Sequence, residues 1–163
     1  MEKIYYDPNG RKSFNIWVKN FALNLNDIWN EPSAKTLVPK DRNETSSIVI
    51  GRGPSLKAHN HLEKLANSNF SGTIICSDGI LKNALESGVT PERFPNFYVL
   101  TIDPGDRIHR FFEDPIISKF GKKIKGIFST IVDPKTLESA RKSGIHISWL
   151  HSLVDYSEGK KSC

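Results

Sequence analysis

The stretch Ile48-Val-Ile-Gly-Arg-Gly-Pro-Ser-Leu56 decides how this chain is read. A short apolar run with strand character breaks into two closely spaced glycines, then Pro-Ser, then a polar pattern with helical spacing. Gly51 and Gly53 can take backbone angles closed to other residues, and Pro54 suits the first helical position. The amides that open a helix lack partners and attract anions, so the turn points to a phosphorylated ligand, with Ser55 placed to hold phosphate or to cap. It matches neither common cradle. A dinucleotide fingerprint needs a third glycine where Leu56 stands, and a P-loop needs Gly-Lys-Ser/Thr, which never occurs.

Downstream of the turn, apolar strand patterns alternate with helical ones. Strands are expected at 47–51, 73–77, 97–102, 126–132 and 145–150. Helices are expected at 56–67, at 80–87 with Gly88 as its stop, at 107–119 interrupted by Pro115, and at 134–143. Strands separated by helices at this spacing imply right-handed crossovers and a mainly parallel sheet with helices on both faces. The fold class is therefore α/β, a Rossmann-like three-layer sandwich with a sheet of about five strands. Upstream, Phe14, Trp17, Val18, Phe21, Leu25 and Ile28 form the stripe of an amphipathic helix capped by Ser13, expected to pack on the main domain or on a partner subunit. Residues 30–47 read as a linker. This divides the chain into a leader of 1–45, a nucleotide-binding domain of 46–152 and a polar tail of 153–163.

With 163 residues there is room for one well-buried domain. No apolar run approaches the ~20 residues that cross a bilayer, and the N-terminus lacks the apolar core of a secretory signal, so a cytoplasmic protein is expected. Cys76 and Cys163 read as free thiols. The net charge of +5 favours anionic partners. Its clusters at Lys119–Lys125 and Lys160–Lys161 read as solvated surface, because nucleic-acid binding would need basic residues interleaved with stacking aromatics along one element.

Ligands of such folds bind beyond the carboxyl ends of the strands. Besides the glycine turn, those positions hold Asp78-Gly79, Asp103-Pro-Gly-Asp106, Asp133-Pro134 and His151. Asp133 reads as a helix cap. Asp78 follows the turn by roughly 25 residues, near where a dinucleotide fold places its ribose-binding acid. Asp103 and Asp106 either present two carboxylates to magnesium or form a turn in which Asp106 caps the next helix. His59 and His61, two apart on one expected helix, should point in different directions. No zinc-ligand set and no Gly-x-Ser-x-Gly elbow is present.

Taken in order, Ile48–Leu56, Ile75-Cys-Ser-Asp-Gly-Ile-Leu81, Leu85-Glu-Ser-Gly-Val-Thr-Pro91 and Val99-Leu-Thr-Ile-Asp-Pro104 resemble the archaeal 6-hydroxymethylpterin diphosphokinase-like family, over roughly residues 46–150. Motility accessory factor proteins, linked to sugar transfer onto flagellin, share that Rossmann-like domain. The resemblance implies diphosphate transfer from ATP to a pterin alcohol. Gly51, Gly53, Pro54 and Ser55 would approach phosphate, Asp78 and Gly79 would line the nucleotide or pterin pocket, and Asp103, with Asp106 as a possible substitute acid, would hold magnesium. The kinase branch usually carries Asp-Leu-Asp-Gly after the third strand, where this chain has Thr101-Ile-Asp-Pro104, closer to the sugar-transfer branch. Two other readings therefore stand beside the kinase: a sugar-nucleotide domain, and a non-catalytic module assembling through the N-terminal helix as a homo-oligomer.

Overall fold

Alternation of apolar residues builds the sheet. In the computed structural model, which describes residues 8–38 and 46–151, five strands form: β1 Ser47–Ile50, β2 Thr73–Ser77, β3 Phe97–Thr101, β4 Lys125–Ser129 and β5 His146–Leu150. All four pairings are parallel, and their registers set Ile50, Cys76, Val99, Gly126 and Ile147 in one row across the sheet. That row is buried, as are Ile74, Phe97, Thr101, Phe128 and Trp149 on the same face. The intervening Ile75, Tyr98, Leu100 and Ile127 are only half-buried, and Val49 is exposed.

The expected α/β class, the five-stranded parallel sheet and the N-terminal helix are all present. The strand order is β1-β2-β3-β4-β5, without reversal. Crossovers of one hand that all step in one direction place their helices on one face, so the crossover helices are not divided between two faces as in a doubly wound sheet. The burial alternation follows from this. An unreversed order also has no switch point, so the ligand crevice of a doubly wound sheet has no counterpart here, and the site must be built from the strand ends themselves.

The helices are α1 Pro8–Asn30, α2 Ser55–Ala58, α3 His61–Ala66, α4 Asp78–Glu86, α5 Pro115–Phe120 and α6 Pro134–Lys142, with a seven-residue 3₁₀ helix at Asp106–Phe112. Local chemistry explains their ends. Asp114 and Asp133 cap α5 and α6 by accepting from the Ile116 and Lys135 amides, and each is followed by proline in the first turn. Gly88 and Gly144 stop α4 and α6 at φ +87 and +91. In both stops the next residue's amide reaches back, Val89 to the Ala84 carbonyl and Ile145 to the Ala140 carbonyl. The helix expected at 56–67 is broken, because Asn60 takes a left-handed conformation at φ 50 that asparagine tolerates. The break turns His59 and His61 toward each other, with ring centroids 5.4 Å apart and stacked, rather than apart as expected.

The N-terminal segment departs most from expectation. Ser13 lies inside α1, which begins at Pro8, so it is not the cap. The face that α1 turns to the domain is centred on polar residues, with Ile28 packed on the core and Phe21 on His151 at its flank. Asn20 and Asn24 are buried, and each side-chain amide donates to two carbonyls: Asn20 to Pro104 and Ile131, Asn24 to Thr130 and Val132. These carbonyls lie just beyond β3 and β4, where backbone acceptors have left the ladder and need donors. Further along, Arg141 of α6 pairs with Asp27 at 2.8 Å and with both oxygens of Glu31, and the Trp149 indole donates to Glu31 at 2.9 Å. Pro32 accepts from the Trp149 amide and Ser33 bridges to Trp149, so the start of the expected linker is fastened along β5. Residues 39–45 and the tail, with Cys163, Lys160 and Lys161, lie outside the described residues.

Candidate functional site at the strand ends

The carboxyl ends of β1, β2 and β3 bring together Arg52, Asp78, Gly79, Thr101 and Asp103. The sheet supplies the placement. β2 runs into α4 with no intervening loop, which sets Asp78 in the first helical turn, its carboxylate accepting from the Gly79 amide at 2.6 Å. Asp103 follows β3 by two residues and is oriented by the Gly105 amide, which donates to its Oδ1 at 2.8 Å.

Charge in this cluster is unbalanced. Burial pushes the Asp78 carboxyl above its ordinary value, while the Gly79 amide opposes the shift. The neighbouring Asp103 charge pushes further upward, and the Thr101 hydroxyl and the Arg52 guanidinium act against it. Thr101 is fully buried and its hydroxyl completes no hydrogen bond of ordinary geometry. A half-buried Asp78 with the exposed Asp103 carboxylate beside it favours a neighbouring cation. The carboxylate neighbour that the fold gives Asp103 is thus Asp78. Asp106 opens the 3₁₀ helix behind Gly105, makes no side-chain cap there, and contributes its carbonyl to His109 Nδ1. Among the described residues no group of three His, Cys, Asp or Glu side chains forms a metal cage. A magnesium site here would use one or two carboxylates and complete its shell with water and phosphate oxygens.

Gly51, Gly53, Pro54 and Ser55 are exposed at the mouth of this cluster. Neither Gly51 nor Gly53 has a positive φ, so the conformational reason expected for them does not hold. Space is what they provide: a Cβ on Gly51 would meet nothing within 4 Å, and one on Gly53 only the Ser55 hydroxyl at 3.6 Å. Pro54 lies in helical conformation immediately before Ser55, the first residue of α2. Gly79 serves a different purpose. Arg52 folds across it, its Cδ 3.1 Å from where a Cβ would stand, and rests its guanidinium over the Phe111 ring at 5.6 Å from the centroid.

Sequence reading passed over Arg52, Thr101 and Phe111. Arg52 lay in plain view inside the glycine turn; the other two become neighbours only through the sheet order. His151, a candidate from its position after β5, accepts or donates through Nδ1 with the Thr130 hydroxyl at 2.9 Å and leans on Phe21 of α1. It fastens the helix. Cys76 lies in the buried row with its thiol pushed up to about 12 by burial, which makes it a packing residue and an inert thiol.

A family model described as 6-hydroxymethylpterin diphosphokinase MptE-like matches residues 19–161, most of the chain. The chain belongs to this MptE-like family. The matched span opens at Lys19, so the part of α1 that carries Asn20 and Asn24 falls within it, together with every strand. The expected resemblance, drawn from 46–150, therefore holds and extends to the helix that closes over β3 and β4. No curated protein and no solved structure matches the chain. No helix among the described residues is long and apolar enough to cross a membrane.

Proposed function

We propose that this MptE-like chain binds ATP with magnesium at the carboxyl ends of β1–β3 and transfers a diphosphate to a pterin-type alcohol. One observation carries the reading: a glycine turn with open space lies beside a cationic Arg52 and two neighbouring acids, Asp78 and Asp103. In this reading Gly51 and Gly53 let phosphates approach the backbone, and Ser55 presents its amide and hydroxyl at the start of α2, where Pro54 fixes the backbone in helical conformation. Asp103 holds the metal, with Asp106 as the further acid of its loop, and Asp78 with Gly79 lines the nucleotide or pterin pocket. Magnesium would neutralise charge on the transferring group. Arg52 would leave Phe111 for phosphate, a short swing for a long side chain held by a weak ring contact.

The test is a thermal-shift panel of ATP, GTP, cytidine sugar nucleotides and pterins, each with and without magnesium. A stabilisation that needs ATP and metal together, and that Asp103→Asn removes, is the expected result. Equal binding by Asp103→Asn would remove the metal role from that residue. A second reading, a sugar-nucleotide domain, rests on Ile102-Asp103-Pro104 together with Thr101, whose buried hydroxyl stands where the kinase branch carries its first acid. Stabilisation by cytidine nucleotides and not by adenine ones would select it.

A further inference from the structure

Helix α1 is turned inside out. Seven of the eleven large exposed hydrophobics among the described residues belong to it: Phe14, Ile16, Trp17, Val18, Leu23, Leu25 and Trp29. Its domain-facing side is instead the polar series Asn20, Asn24, Asp27 and Glu31, each tied to the domain by the contacts given above. An apolar stripe left in water on a helix that is fully anchored by its opposite side calls for a partner.

We infer that this stripe pairs with the same stripe of a second copy of the chain. Phe14, Val18, Phe21, Leu25 and Ile28 follow alternating steps of four and three residues, the repeat that lets two helices interdigitate along a common seam. Phe14, Val18 and Leu25 are about half exposed, Phe21 and Ile28 lie at the seam's domain side, resting on His151 and on the core while still showing part of their surface, and Trp29 at the other edge is 87% exposed. A seam of this kind is self-complementary, as a two-fold interface requires. The area is sufficient. Aromatic side chains offer ~150–250 Å² each, so Phe14, Trp17 and Trp29 leave roughly 350 Å² of ring surface in water. Val18 and Leu25 bring the patch to about 500 Å² per chain, and two copies reach the ~1,000 Å² that a specific interface needs.

Charge favours a second copy over a lipid surface. The helix carries Arg11 and Lys12 ahead of the seam and, between Phe14 and Asn30, only Lys19 and Asp27, so no like charges stand within the seam itself. A helix that lies on a membrane shows lysine and arginine around its apolar face. Here the polar side carries acids and is occupied by the domain.

Sedimentation of the full chain at tens of micromolar, without nucleotide, tests this independently of the proposed activity. The expected species has twice the 18.4 kDa chain mass, and Val18→Glu with Leu25→Glu should convert it to the single chain with an unchanged circular dichroism spectrum. The milder Trp29→Gln, which touches only the seam's edge, should weaken dimerisation at least tenfold. A wild-type protein that sediments as one chain overturns the inference, as does a dimer that survives both variants. A single chain that instead floats with phosphatidylcholine–phosphatidylglycerol vesicles assigns the stripe to a membrane and overturns it too.

Discussion

Asn20 on α1 donates its side-chain amide to the carbonyl of Pro104 at 3.1 Å, joining the N-terminal helix to the loop that carries Asp103. The same amide reaches Ile131 at 2.9 Å, so one side chain ties together the loops that follow β3 and β4. Asparagine suits the task because its NH₂ group offers two donors in one plane. The acid loop is thereby held from both sides, by Asn20 outside and by the Gly105 amide within.

Asn24 holds the loop after β4 by the same chemistry and tests how much such a brace is worth. Asn24→Ala leaves the Thr130 and Val132 carbonyls without their side-chain donor in a buried place and should cost about 1–3 kcal/mol. Asn24→Asp should cost more, because it sets acceptor against acceptor. Urea unfolding measures both. An Asn24→Asp protein as stable as the parent would remove the bracing role.

Gly51 separates stability from binding. A methyl group there meets nothing within 4 Å and the backbone is not left-handed, so Gly51→Ala should change unfolding stability by no more than about 0.5 kcal/mol. The open space is the proposed phosphate approach, and filling it should weaken nucleotide binding severalfold, more so in Gly51→Val. Titration calorimetry that finds all three proteins binding alike would detach the turn from the ligand.

Asp78 should couple acidity to stability in a stated direction. Burial raises its carboxyl above the ordinary 3.8, so the neutral acid suits the folded state and the charged form does not. The stability it contributes is full below pH 3.8 and is lost as pH rises through the folded value. Asp78→Asn, permanently neutral, should therefore melt higher than the parent at pH 7, with the difference closing as the pH falls toward 3.8. The same variant should lose the shift produced by nucleotide with magnesium. Parallel melting curves for the two proteins across this range would contradict the assignment.

Gly121 and Gly144 meet at one corner and should respond differently. A Cβ on Gly121 would stand 1.7 Å from the Ser143 carbonyl oxygen, a backbone atom that cannot swing aside, so Gly121→Ala should lose more than about 3 kcal/mol. Gly144→Ala meets the flexible Lys122 Cγ at 3.2 Å and the Lys122 amide nitrogen at 3.3 Å, and it must hold φ +91, for about 1–2 kcal/mol. Denaturation of the pair should rank them in that order, and the reverse order would count against the close contact.

Much of the architecture was legible because it rests on local chemistry. Strand positions came from apolar runs bounded by turns, and Asp133 and Gly88 marked helix ends through capping and left-handed geometry that act over a few residues. Strand order is a non-local property, and no spacing in the chain announced that β1 to β5 would line up without reversal. The polar anchoring of α1 was not legible for a related reason. Apolar periodicity identifies the stripe that avoids water, but the surface waiting for this helix is a rim of unpaired carbonyls, which only Asn20 and Asn24 can satisfy. At the site, Asp78, Gly79 and Asp103 were visible from their places after strands. The pairing of Asp78 with Asp103, and the fold of Arg52 over Gly79 onto Phe111, depended on which strand ends become neighbours.

The unreversed sheet bears on how the chain comes to be folded. Each strand pairs with the one next to it in sequence, so the sheet can grow by successive addition, each step closing only the one crossover that a parallel pair requires. The contacts of α1 and the segment after it obey the opposite rule: the bond from the Trp149 indole to Glu31 spans 118 residues. The outer brace of the loop that carries Asp103 is likewise a closure over distance, the Asn20 bond to Pro104 spanning 84 residues, so the candidate site depends on contacts that no neighbouring pair of strands supplies.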